Sequence, residues 1–334
     1  MRHSSQNANS LSQGLYSHTS PRSVGCASGH TPGGFVEVDA FAKINLFLAV
    51  VGKREDGYHE LETVMQTLSL HDRLTIQTCD GNNAESLVTL STNLPNLVTN
   101  DKNLVVKAAK RFMQATGLNQ PITIKLDKRI PMGAGLGGGS SDAAATLLGL
   151  NKLFNANLPM ETLMDMGAAL GADVPFCLHG NMHGGAALAK GIGEKLTPLP
   201  PAPKAYVVLA CPKIHVSTKD IFKKLAFDTA SANMQGNPQD KLDGFMAAYK
   251  EGALAQMAKN FYNVFTPITS TLHPQVAALI AALEGQGALG AAMTGTGATV
   301  FAYFDSQPDA LRACNNLQSK SHFRGAKFFV TQTR

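Results

Sequence analysis

Residues 131–141 read PMGAGLGGGSS, and no other stretch of the 334-residue chain restricts its fold so tightly. Gly133, Gly135, Gly137, Gly138 and Gly139 crowd into it. Glycine loses more backbone entropy on folding than any other residue, so a fold keeps such a cluster where the chain turns sharply or a ligand comes close. Behind it runs SDAAATLLGLN, apolar and alanine-rich, which predicts a helix from about Ser140 to Asn151. A glycine loop feeding a helix N-terminus aims several backbone N–H groups, and the positive end of the helix dipole, at one place. That place suits a phosphate. The competing reading is an ordinary strand-to-helix turn.

Around the loop, strands and helices alternate in pairs. Strands are predicted over 35–38 and 44–51, with Asp56-Gly57 as a turn signal. Residues 61–70 fit neither period, 74–78 alternate as a strand, and 79–96 read mostly as a polar excursion. A helix is predicted behind Asn100-Asp101, with Leu104, Val105, Ala108 and Phe112 as its apolar stripe and Gly117 as its stop. A strand over 121–130 delivers the chain to the glycine loop. After the loop helix come a helix over 160–170, strand-like residues either side of a turn in 171–180 (GADVPFCLHG), and a glycine-bearing hairpin through Gly193. Residues 198–203 are a proline-rich connector. Beyond it lie strands over 206–210, 288–293, 300–304 and 326–331, and helices around 244–260, 274–283 and 308–318. Residues 227–243 carry only weak signals. Paired alternation predicts an α+β fold, not a doubly wound parallel sheet. The connector divides it into an N-terminal lobe, 35–197, and a C-terminal lobe, 198–334.

Composition narrows the class. Hydrophobic residues at 44% and charged residues at 16% describe a folded protein with a real core. A net charge of +5 is too mild, and too evenly spread, for a nucleic-acid binder, and no apolar stretch is long enough to span a bilayer. Cys26, Cys79, Cys177, Cys211 and Cys314 are scattered without a C-x-x-C pair, which suits a reducing compartment and predicts a cytoplasmic protein. Residues 1–34 are rich in Ser, Gly, Asn and His, and Arg2 and Arg22 are their only fixed charges. They predict a disordered extension; an organellar transit peptide, as of a plastid-type organelle, is the alternative.

Gly133-x-Gly135-x-x-Gly138 formally matches a dinucleotide-binding fingerprint. That site needs a second strand about 20 residues on, ending in an acid that holds the ribose, and 155–160 offers none. The protein-kinase loop needs V-A-I-K, H-R-D and D-F-G, all absent from the chain. The Walker loop needs G-K-[ST], and 131–141 contains no lysine. What remains is a loop that holds a nucleoside triphosphate by backbone N–H groups, with a serine hydroxyl near the metal.

Three segments in order carry a resemblance. Ala42-Lys43-Ile44-Asn45-Leu46-Phe47-Leu48, Pro131-Met132-Gly133-Ala134-Gly135-Leu136-Gly137-Gly138-Gly139-Ser140-Ser141 and Thr294-Gly295-Thr296-Gly297-Ala298 resemble the three motifs of the GHMP small-molecule kinases. Gly57-Tyr58-His59-Glu60-Leu61 and Gly171-Ala172-Asp173-Val174-Pro175 narrow it to a branch serving isoprenoid precursor synthesis, whose substrate carries a cytidine diphosphate. The similarity runs from about Phe35 to the last strand, except around 227–243. It implies a two-lobed fold with the site in the cleft between lobes, and ATP with Mg²⁺, no metal ligand being assigned. The loop residues, with Asn103 and Lys128, would hold ATP. Asp173 would take the proton of the acceptor hydroxyl and Lys43 would steady that carboxylate. Tyr58 would stack on cytosine, His59 would hydrogen-bond it, Phe222 would add a second stacking ring, and Asn45, on the face of Lys43, would contact the substrate. Gly295 and Gly297 would let the third motif approach the glycine loop.

The residues alone allow plainer roles. Asp173 could cap a turn, Lys43 could be a solvated strand lysine, Tyr58-His59 a turn surface, Asn103 a helix-start polar residue and Lys128 a solvated strand-end charge. Two departures stand out: Phe41 where the family usually has proline, and Met65 where some relatives have an aromatic, from which methionine could still pack on a base. Another GHMP kinase is the alternative within the class. A non-catalytic nucleotide-binding member of the fold would be expected to lack Lys43 or Asp173, and both are present.

Overall fold

Sequence spacing turns into two curved sheets and a set of short helices. The structure is a computed structural model that describes residues 34–79, 86–225 and 237–334. The predicted extension thus lies, but for Gly34, outside the described residues, as does part of the weakly patterned 227–243. In chain order the elements are β1 (Phe35–Lys53), β2 (His59–Thr78), β3 (Val88–Thr92), α1 (Leu104–Thr116), β4 (Ile122–Asp127), α2 (Gly138–Leu153), α3 (Met160–Ala168), α4 (Val174–His183), β5 (Ala186–Gly191), β6 (Lys195–Pro198) and β7 (Tyr206–Cys211). They continue with α5 (Thr218–Lys224), α6 (Pro238–Lys250), α7 (Leu254–Lys259), β8 (Tyr262–Asn263), α8 (Thr266–Leu272), α9 (Gln275–Glu284), β9 (Gly290–Met293), β10 (Val300–Phe304), α10 (Gln307–Gln318) and β11 (Lys327–Gln332).

One sheet runs β3-β4-β2-β1-β8, with the β5-β6 hairpin also on β2; the other runs β11-β7-β10-β9. Only β3–β4 and β1–β8 pair in parallel among these strands, so the fold is α+β as predicted. A bridge between Leu68 and Thr333 joins the sheets.

The sequence suggested two strands where β1 is one. Its register against β2 shifts between Phe41 and Lys43, between Asn45 and Phe47, and between Val50 and Gly52. Such bulges bend a strand and break its alternation. Residues 61–70, of no clear period, are the middle of β2. Val64 to Leu68 are all buried, because a strand covered on both faces has no reason to alternate. Val88 and Leu90 point inward from β3, a strand hidden in the predicted polar excursion.

Residues 171–180 were expected as strand and turn; 174–183 are helix α4. Pro175 stands in its first turn, where its missing N–H costs nothing. Val174 to Leu178 are buried, so no amphipathic period marked the helix. α1 matches its prediction: Asn103 Oδ1 caps Val105 N–H, and Gly117 ends the helix at φ 70°. The cap is worth about 1 kcal/mol, and burying a side chain such as Phe112 about 1.5–3 kcal/mol.

Three apolar clusters organise the interior. One lies between α1, α2 and the strands β2 and β4, around Phe112, Ile124 and Leu147. A second joins the middle of β1 to one face of the small sheet, through Ile44, Leu46 and Phe301. The third lies between that sheet's other face and α9 and α10, around Val208, Leu279 and Leu317. β1 passes from the first cluster to the second at Ala40–Ala42, directly beside Lys43.

Candidate active site

The chain leaves β4, turns through the glycine loop and enters α2. No side chain caps α2, whose N-cap is Gly137 in the left-handed region. The first N–H groups of the helix therefore lack an intrahelical or side-chain acceptor, and their dipole end favours an anion. A cavity of about 400 Å³ opens here, lined by residues 131–140 with Leu97, Val98, Asn103, Leu104, Lys128 and Asp142. That volume lies within the range of small-molecule sites.

Two glycines let other segments close on the loop. A Cβ on Gly137, at φ 68°, would stand 2.8 Å from Lys43 Cγ. On Gly135, at φ 71°, it would stand 2.9 Å from the carbonyl of Thr294. So the first and third motifs both pack against the second. The close approach to the third motif is made at Gly135 more than in the TGTG turn itself: Gly295 meets Gly135 at ordinary contact distance, and Gly297 faces Met293 and Thr269 instead.

Lys43 is 4% exposed, which rules out the solvated-lysine reading. Its backbone N–H donates to Leu136 O at 3.0 Å, fixing β1 to the loop. Its ammonium donates to Asn45 Oδ1 at 3.0 Å and lies 3.2 Å from Asp173 Oδ2. Asp173 immediately precedes α4, yet its side chain makes no capping bond and is 37% exposed. The carboxylate is thus turned to Lys43 and solvent, not to the helix.

Asn45, expected at the substrate, has its amide engaged inside the fold. Its Oδ1 also accepts from Thr294 Oγ1 and Gly295 N–H, each at 3.1 Å, and its Nδ2 donates to Thr63 Oγ1 at 2.9 Å. It holds Lys43 and the third motif together. The serines part company. Ser140 lines the cavity, whereas Ser141 is fully buried and its Oγ donates to Asn181 Oδ1 at 3.1 Å.

Asn103 and Lys128 do line the cavity, with their polar atoms already committed. Asn103 caps α1 and donates to Val98 O at 2.7 Å. Lys128, read from sequence as a solvated charge or an adenosine contact, is buried. Its ammonium donates to Asp72 Oδ2 at 2.5 Å and to Asp142 Oδ2 at 2.7 Å. Burial works against this ammonium, and the charges of Asp142 and Asp72 outweigh it and raise its pKa. Asp72 Oδ1 accepts from the backbone N–H groups of Arg129 and Ile130, but Asp142 Oδ1 has no partner. Burial pushes Asp142 up to about 8. Sequence reasoning missed Asp72 and Asp142; the one available signal was a carboxylate inside the alanine-rich start of α2.

At the β1–β2 turn Tyr58 is 61% exposed. The His59 ring lies 5.0 Å from Phe222 on α5, and Phe222 lies 4.7 Å from Phe265. Burial, then the charge of Lys53, lowers the His59 pKa, favouring the neutral imidazole. Thr218, at the start of α5, meets Thr296 of the third motif, Oγ1 to Oγ1 at 3.1 Å. Two of the three predicted base-binding rings therefore come together beside that motif. Met65 does not join them: it is fully buried, among Phe176, Ala187 and Ala189, where it can meet no base.

Residues 103–181 match the GHMP kinases N terminal domain and residues 245–322 the GHMP kinases C terminal domain. The chain is 44% identical to the 4-diphosphocytidyl-2-C-methyl-D-erythritol kinase of Lachnoclostridium phytofermentans, over 83% of this chain and 91% of that one. It is 40% identical to that of Caldicellulosiruptor saccharolyticus, over 84% and 91%. A solved 4-(cytidine 5'-diphospho)-2C-methyl-D-erythritol kinase superposes with a TM-score of 0.71 at 30% identity, over 89% of this chain and 99% of that one. A homoserine kinase from Cytophaga hutchinsonii shares the fold, with a TM-score of 0.70 at 19% identity over 92% and 96%. With the three motifs packed on one another and relatives this similar over nearly their whole length, the chain belongs to the GHMP kinases, in the family of the 4-diphosphocytidyl-2-C-methyl-D-erythritol kinases.

Proposed function

We propose that this chain transfers the γ-phosphoryl group of ATP to the 2-hydroxyl of 4-diphosphocytidyl-2-C-methyl-D-erythritol, in the non-mevalonate route to isoprenoid precursors. The observation that carries the reading is the Lys43–Asp173 pair, 3.2 Å apart, on a lysine packed against the last glycine before α2. The free N–H groups at the start of α2 hold the phosphates. The acceptor oxygen bonds to the γ-phosphorus as the bridge to the β-phosphate breaks, and ADP leaves. Asp173 takes the hydroxyl proton. Lys43 stabilises the anionic oxygen and the Asp173 carboxylate, while Asn45 keeps Lys43 in place and acts on the acceptor through it.

At the other end of the substrate His59 and Phe222 hold the cytosine, with Tyr58 as an exposed ring that closes on it. Asn103 and Lys128 form the wall that the adenosine packs on. GHMP kinases use ATP, typically with Mg²⁺. Mg²⁺ takes hard oxygen donors; Ser140, at the cavity lining, would hold it together with the triphosphate, and the ion would supply neutralising charge for the phosphates. The roles divide near residue 198: 35–197 supply the nucleotide loop, Lys43 and Asp173, and 198–334 supply Phe222 and the third motif. Four free cysteines among the described residues, Cys79, Cys177, Cys211 and Cys314, favour a cytoplasmic site of action. None of the described helices is long and apolar enough to cross a membrane.

Asp173→Asn tests the reading. An amide cannot take the proton, so kcat is expected to fall by about 10²–10⁴-fold while ATP binding, followed by calorimetry, stays near wild type. Near-normal turnover would remove Asp173 from the mechanism.

A further inference from the structure

The amide of Asn181, on α4, ties together the three segments that carry the transfer groups. Its Oδ1 accepts from the backbone N–H of Phe41 at 2.9 Å and from Ser141 Oγ at 3.1 Å; its Nδ2 donates to Ser141 O at 3.3 Å. The orientation of the amide follows from its partners, since the Phe41 N–H can only donate and the Ser141 carbonyl can only accept. Phe41 is two residues ahead of Lys43. Ser141 lies in the first turns of α2, directly behind the phosphate loop. Asn181 itself is carried by the helix that Asp173 precedes.

The position on β1 is informative. The β1–β2 ladder shifts register between Phe41 and Lys43, so sheet pairing alone does not fix how the strand arrives at Lys43. Asn181 takes up the Phe41 N–H at that irregularity. The Phe41 ring is fixed as well: the Arg334 guanidinium lies 3.7 Å from its centroid. Arg334 Nη1 in turn donates to Gly180 O at 3.0 Å and to Asn181 O at 3.3 Å. A proline at position 41 could not make the Phe41–Asn181 bond, having no N–H.

We propose that Asn181 is a positioning residue for phosphoryl transfer, holding β1, the start of α2 and α4 in the one register that brings Lys43, the phosphate loop and Asp173 together. The inference rests on the reading of Lys43 and Asp173 as the transfer groups. Transfer is sensitive to small displacements of the reacting groups, and neither Asn181 nor Ser141 lines the cavity at the glycine loop. Loss of the Asn181 clamp therefore falls on the chemical step more than on binding.

The experiment compares full-length wild type with Asn181→Ala, Asn181→Asp and Ser141→Ala, measuring kcat, KM for ATP and for the cytidyl acceptor, and the melting temperature. Asn181→Ala is expected to lower kcat by about 10- to 100-fold, with both KM values within about threefold of wild type. Asn181→Asp keeps the acceptor for Phe41 N–H and Ser141 Oγ but sets a charged oxygen against the Ser141 carbonyl, so it should recover part of that kcat. Ser141→Ala should lower kcat in the same direction, and the Asn181→Ala/Ser141→Ala double variant, measured alongside, should lose less than the two single losses combined, as for two members of one network. Should Asn181→Ala fail to fold, the Asn181→Asp and Ser141→Ala variants carry the comparison. Wild-type kcat in Asn181→Ala, or a loss that follows melting temperature and is not rescued by aspartate, overturns the proposal. Turnover by Asp173→Asn separates the two levels: if that variant is fully active the transfer-site reading itself fails, and if it is dead while Asn181→Ala is normal only the clamp fails.

Discussion

Asp142 makes a pH-dependent contribution to stability at the level of a single side chain. It shares the Lys128 ammonium with Asp72, has one oxygen without a donor, and is pushed up to about 8 by burial. In the unfolded chain an aspartate titrates near ~3.9. Between these values the folded state keeps a proton that the unfolded state releases, so stability falls as pH rises. The stabilisation is complete below the unfolded value and is lost as pH climbs through about 8. Asn is a permanent stand-in for the protonated acid and can still accept from Lys128. Asp142→Asn should thus gain stability relative to wild type from pH 5 to pH 9, read by urea unfolding at both pH values. An unchanged difference between the two proteins would contradict the assignment. The same cluster shows what sequence could not give. Lys128 looked like a strand-end charge because its partners lie at 72 and 142, and only the pairing of β2 with β4 and the start of α2 brings them to it.

At the scale of elements, the glycine loop was legible because its constraint is local: a cluster of glycines before an alanine-rich run admits few other readings. What lay between was harder. β1 read as two strands because its bulges fall at Phe41–Lys43 and Asn45–Phe47, and α4 read as strand because its first five residues are buried all round. Bulges erased the period in the first and burial erased it in the second. The loop also allows a comparison of two glycines. Gly137 and Gly117 both sit near φ 70°, where alanine is strained by about 1–2 kcal/mol. Only at Gly137 would the new Cβ strike a neighbour, Lys43; at Gly117 nothing lies within 4 Å. Both alanine variants should therefore melt a few degrees lower. Gly137→Ala should in addition lose about 10²-fold in kcat through displacement of Lys43, and Gly117→Ala should not. Equal activities in the two variants would mean that the contact between Lys43 and the loop does not matter.

At the scale of the whole molecule, segments far apart in sequence converge. Lys43 and Asn45 from β1, the loop before α2, Asp173 before α4 and Thr294-Gly295 between β9 and β10 are joined by direct contacts. Their order along the chain was enough to expect the kinase, and their packing supplies the reason: each closes on the next through a glycine, an amide or, at Asp173, an ion pair. The aromatic pair His59–Phe222 stands beside the third motif, where Thr218, on the same helix as Phe222, bonds to Thr296. If it holds the cytosine, His59→Ala should raise KM for the cytidyl acceptor by about tenfold, the loss of one hydrogen-bond partner, and leave KM for ATP nearly unchanged. A similar rise in both would show that His59 supports the fold and not the base. The decisive measurement is ADP release by the purified protein, coupled to NADH oxidation, with 4-diphosphocytidyl-2-C-methyl-D-erythritol, mevalonate and homoserine offered in turn. The account predicts turnover with the cytidyl alcohol, its product carrying phosphate on the 2-oxygen, and none above background with the other two. Turnover on mevalonate or homoserine without the cytidyl substrate would contradict it.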